Sequence, residues 1–108
     1  MTRRLRFESP APASNALNEV EDGWREEFTV SAEVFARMGS ETVLAARLTG
    51  LQPVEITVRR STSTRRITAA WRAVDVHSGE VFALTSPAAD PDGSRAWLKM
   101  MGAAGVAA

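Results

Sequence analysis

Apolar side chains fall at every second position through most of this chain, and that period restricts it to a β architecture. In FTVSAEVFARM, residues 28–38, Phe28, Val30, Ala32 and Val34 alternate with Thr29, Ser31 and Glu33. Successive residues of a strand point to opposite faces, so the segment predicts a half-buried strand. The same alternation marks RRLRFES (3–9), PVEITVRR (53–60), RRITAAWRAVDV (65–76), EVFALTS (80–86) and SRAWLKMM (94–101). Six short strands divided by turn residues predict a mainly β fold, a small antiparallel β-barrel or sandwich.

The connections support that reading. PAPASNALNEVEDG, residues 10–23, is rich in turn formers and has no helical stripe, so it predicts a loop or short hairpin. In DPDG (90–93), Pro91 presets its own φ and Gly93 accepts the positive φ that closes such a turn. PVEITVRR and RRITAAWRAVDV predict a hairpin about the polar tip STST. One helix is expected, at about residues 40–49. Ser40 can cap it, Glu41 suits its positive end, Gly50 can stop it, and Leu44, Leu48 and Leu51 form its stripe. A helix of about ten residues is marginal alone in water and must dock those leucines on something. The run GAAGVAA at 102–108 lacks bulk and polar periodicity. The expected organisation is therefore one domain over 1–101 and a flexible tail over 102–108.

The residues that carry chemistry are sparse, and an enzyme is not expected. The single histidine, His77, stands near Asp75 and beside Ser78, but side chains within one tight turn rarely reach the geometry of nucleophilic catalysis. Asp90 and Asp92 begin like a calcium loop, yet the later spaced oxygen ligands and closing glutamate are missing. There is no Gly-rich phosphate loop, and no cysteine to supply a disulfide, a thiolate ligand or a nucleophile. No catalytic residue, cofactor or metal is expected. No apolar run approaches the roughly 18 residues of a membrane helix, and the N-terminal MTRRLRF does not lead into a signal-peptide core, so the reading is a chain made in the cytoplasm with no membrane partner.

Charge is more informative. Thirteen basic residues balance thirteen acidic ones, which argues against coating nucleic acid by bulk electrostatics. Along the chain the two signs are segregated. No acidic residue stands between Glu55 and Asp75, whereas Glu19, Glu21, Asp22, Glu26, Glu27 and Glu33 cluster around Arg25 alone. In a regular hairpin Arg60 would face Arg65 and Arg59 would face Arg66, and like charges directly opposite destabilise a ladder. Opposite poles on one small domain suit a head-to-tail contact between identical subunits, and such contacts close into rings when the rotation allows. Glu19, Glu21, Asp22, Glu26, Glu27, Arg59, Arg60, Arg65 and Arg66 are the expected interface residues.

The order and spacing of several segments resemble the bacteriophage head-closure, or head-tail joining, proteins, also called stoppers, of tailed phages and phage-derived gene-transfer particles. NALNEVEDGW is similar to the family's early turn followed by a tryptophan, which places Trp24, and Ala32 falls on the alanine of the next strand. MGSETVLAA is similar to a small-Gly-x-Glu-x-x-x-Ala segment, setting Gly39, Glu41 and Ala45 in register. Arg59 falls at the end of the following strand and Arg66 at the start of its partner. GEVFALTS and PDGSRAWLKM resemble the two closing strands, so the likeness spans about residues 5–101. Asn18 stands where the family has glycine, and Val54 where many members have a polar residue.

The resemblance implies a structural virion protein located in the neck. It would be a barrel subunit that assembles with itself into a hexameric ring between the portal or adaptor ring and the tail-terminator or tail tube protein. It would retain the packaged DNA in the channel without reading its sequence. It further implies that the excursion from Arg37 to Gln52, with Gly39, Glu41 and Arg47, faces that channel. Two other readings compete. In one, a nucleic-acid-binding barrel uses Trp71 and the arginines as a stacking and phosphate surface, although Trp71 is in phase with Ile67 and Ala69 and so is expected to face the core. In the other, the chain is a different neck ring protein, an adaptor or tail terminator.

Overall fold

In a computed structural model of the protein, residues 2–11, 13–14, 20–21, 23–36, 50–90, 93 and 95–105 are described. Among the described residues eight strands follow one another: β1 (Thr2–Pro10), β2 (Ala13–Ser14), β3 (Val20–Glu21), β4 (Trp24–Ala36), β5 (Gln52–Arg59), β6 (Arg72–Asp75), β7 (Val81–Leu84) and β8 (Trp97–Ala104). Six of them close an antiparallel barrel in the order β1-β4-β5-β8-β7-β6, while β2 and β3 form a separate short hairpin between β1 and β4. The mainly β reading of the alternation therefore holds. The helix expected at about 40–49 lies outside the described residues, and among the described residues the only helical turn is a 3-10 turn at Thr64–Arg66.

The barrel interior is filled by the residues that alternation assigns to one face. Leu5 and Phe7 of β1, Ala32 of β4, Val54, Ile56 and Val58 of β5, Phe82 and Leu84 of β7, and Leu98 and Met100 of β8 join one buried cluster. A barrel of this size holds side chains rather than a channel, so these residues are a packed core. Trp71 lies in that cluster together with Ile67, facing the core as expected, although Ala69 between them is exposed and residues 67–71 form no strand, so strand phase is not the cause.

The expected hairpin between residues 53–60 and 65–76 does not form. β5 pairs with β4 and β8, whereas β6 pairs with β1 and β7. One cause lies in the STST tip and a second in residues 67–71. The Thr64 hydroxyl donates to the Arg59 carbonyl at 2.8 Å and accepts from the Ser61 N–H at 2.8 Å, while the Ser61 hydroxyl accepts from the Thr64 N–H at 3.0 Å. Side chains of this kind offer the backbone an alternative to the ladder, and here they wind the chain into the 3-10 turn. Ile67 and Trp71 then drop into the core from the segment that crosses to β6. The four arginines are not arranged as opposed pairs.

The C-terminus also departs from expectation. Residues 102–104, read as the start of a flexible tail, are the end of β8: Gly102 pairs with Val54 and Leu84, and Ala104 with Gln52 and Phe82. Their small size reflects close packing. A Cβ on Gly102 would stand 3.1 Å from the Ala83 carbonyl oxygen, and one on Gly105 would stand 2.6 Å from that of Gly50.

Candidate interaction surface

The acidic and basic segments meet inside one subunit. Between Phe7 and Glu8 the register of β1 against β4 shifts: Phe7 pairs with Phe28 but Glu8 with Glu26, which leaves Glu27 as the extra residue of a β-bulge. A bulge re-aims a side chain, and the Glu27 carboxylate accepts a 2.6 Å hydrogen bond from the Ser9 hydroxyl and lies 3.4 Å from the Arg66 guanidinium. The Ser9 hydrogen bond and the Arg66 charge hold the Glu27 pKa below its ordinary value. Arg66 also lies over the rings of Phe28 and Trp71, at 6.0 and 5.8 Å.

Beside this pair, Glu8 is buried and takes two arginines. Arg72 Nε donates to Glu8 Oε1 at 2.6 Å and Arg6 Nε to Glu8 Oε2 at 2.9 Å, and the Arg72 guanidinium lies 4.5 Å from the centre of the Trp24 ring. Neither Glu8 nor Arg72 is among the residues expected from sequence to form contacts, because each lies in a strand and only the β1–β6 pairing brings them together.

Of the expected interface residues, Glu27 and Arg66 are thus engaged with each other, and Arg59 stacks on Trp97 at 5.1 Å. Arg60 and Arg65 line a cleft with Arg95. Glu26 is exposed on β4, Glu21 ends β3, and Glu19 and Asp22 lie outside the described residues. Of the expected channel segment, Arg37, Gly39, Glu41 and Arg47 also lie outside them, and Gln52 begins β5 with its Nε2 donating to the Pro53 carbonyl at 2.8 Å. Three exposed aromatics were not singled out from sequence as contacts: Phe35 at 48%, Trp97 at 45% and Trp24 at 42% exposure. For Phe35 a signal was present, since it falls out of phase with Val34 and therefore points outward.

The turn that invited a catalytic reading is a structural cap. Asp75 Oδ1 accepts from the N–H groups of His77 and Ser78, at 2.8 and 3.2 Å. Burial raises the Asp75 pKa, but these two donors together with Arg3 outweigh it and the net shift is downward. His77 is exposed, and no group of three or more metal-binding side chains comes together among the described residues. No described helix is long and apolar enough to cross a membrane. Because Trp71 is buried under Phe28 and Arg66, it offers bases no stacking face.

Residues 1–105 match the family described as phage head completion protein. The chain belongs to that family. Head completion proteins are structural parts of the virion, which places this chain in the particle and gives it a structural role in joining head and tail. Two solved structures share the fold. A chain of a native gene transfer agent virion superposes with a TM-score of 0.63 at 22% identity, covering 98% of this chain and 96% of that one. A protein from Shigella flexneri 2a, solved in solution, does so with a TM-score of 0.65 at 20% identity, covering 98% and 94%. No curated protein matches the sequence.

Proposed function

We propose that this head completion protein is the stopper of its particle. It would assemble as a hexameric ring beneath the portal or adaptor ring, present the surface on which the tail-terminator or tail tube docks, and retain packaged DNA. The observation that supports this most is the family match over residues 1–105 on a closed barrel with aromatic side chains exposed on its outside. Such residues are what protein interfaces use: aromatic anchors and arginines are enriched there. The neighbouring fold within a gene transfer agent virion supports a tailed particle of either kind, infectious or gene-transferring.

Electron microscopy of particles from a strain lacking this reading frame tests the role. The expected result is tailless heads that have lost DNA, accompanied by free tails. Intact, tailed, DNA-filled particles would overturn it.

A further inference from the structure

Arg60, Arg65 and Arg95 line one cleft of about 450 Å³, whose walls include Asp90, Ala88 and Ala89. The other two arginines of the expected interface have partners in their own chain: Arg59 has Trp97 and Arg66 has Glu27. Arg60, Arg65 and Arg95 form no ion pair among the described residues. Arg95 is held at a φ of 61°, a left-handed value that side chains other than glycine adopt at a cost of about 1 kcal/mol. Its backbone N–H donates to Asp90 Oδ2 at 2.7 Å, which fixes that conformation at the cleft. Asp90 also lines the cleft, and with three guanidinium groups against that carboxylate the described lining is net positive and favours an incoming anion.

Most of the acids among the described residues are consumed within the subunit. Glu8, Glu27, Glu55, Asp75 and Glu80 all have basic partners in the subunit. Glu26 and Glu33 have none among the described residues; of the two, Glu33 lies on the outward face of β4 beside Phe35, two residues on and on the same face. This patch combines an unpaired carboxylate with the most exposed phenyl ring of the barrel. The cleft combines guanidinium forks, which match a carboxylate, with the alanine side chains of Ala88 and Ala89, which a ring can cover.

We infer that the Arg60–Arg65–Arg95 cleft receives the outward Glu33–Phe35 patch of a second copy of this chain; this rests on the ring reading above and names its contact. The two patches differ, so the contact is heterologous and propagates around a ring. A second copy fits better than DNA because the chain has zero net charge and each cleft finds its complement on the next subunit.

The test is charge exchange in particles. Arg65→Glu and Glu33→Arg alter exposed side chains, so circular dichroism should show both variants folded. Each alone should lower the yield of tailed particles at least tenfold, and the double variant should recover most of it. Tailed particles at the unaltered yield with either single variant, or a double variant as defective as the singles, would overturn the inference. Arg65→Glu particles that keep their tails but lose DNA would assign the cleft to nucleic acid and overturn it as well. The stopper role fails separately, by normal particles when the whole chain is missing.

Discussion

Phe7→Ala should lower the unfolding free energy by about 3–5 kcal/mol, measured by chemical denaturation of the isolated chain. Phe7 is fully buried and stacks on Phe28 with ring centroids 5.4 Å apart, and Phe28 in turn meets Trp71 at 6.0 Å. The three rings come from β1, from β4 and from the segment that crosses to β6, so removing one leaves a cavity that neither rigid strand can collapse to fill. Domains of this size are stable by only about 5–15 kcal/mol, so the variant should be close to unfolding at growth temperature. A loss under about 1 kcal/mol would mean that the rings do not pack as described.

Glu8→Ala should cost about 2–4 kcal/mol, the range for removing one partner from a buried charged network. Glu8 is 7% exposed, and its carboxylate joins Arg6 on its own strand to Arg72 on β6, across a pairing that closes the barrel. Without it the two guanidinium groups repel one another, and Arg72 loses the contact that positions it over Trp24. Glu8→Gln keeps an oxygen acceptor and should recover part of the loss. A double-mutant cycle with Arg72→Ala measures the coupling, and a coupling near zero would contradict the network.

The barrel was legible because its interior depends on one simple variable, the parity of apolar positions. Leu5 and Phe7, Val54, Ile56 and Val58, and Leu98 and Met100 alternate without interruption, and all are buried. What parity does not encode is which strand lies beside which. Residues 53–60 and 65–76 look like a hairpin because both alternate and a polar tip divides them. The decision is made instead by the Ser61–Thr64 hydrogen bonds and by the room for Ile67 and Trp71 in the core, which are tertiary facts. The candidate surface was legible only as charge. Sequence distinguishes an acidic from a basic segment, but a one-residue bulge at Glu27 decides that Arg66 is satisfied at home. Arg95 gave no signal at all, since its place in the cleft depends on a left-handed backbone angle that its residue type does not favour. The small residues after Met101 were misread for a related reason: lack of bulk suggests fraying, whereas at Gly102 and Gly105 it permits close backbone contact.

A reconstruction of the neck of intact particles tests the central claim most directly. The expected result is a ring of six-stranded barrels between the portal or adaptor ring and the tail tube, into which this fold fits with adjacent copies in contact. A neck built entirely from other chains, with this barrel elsewhere in the particle or absent from it, would contradict it.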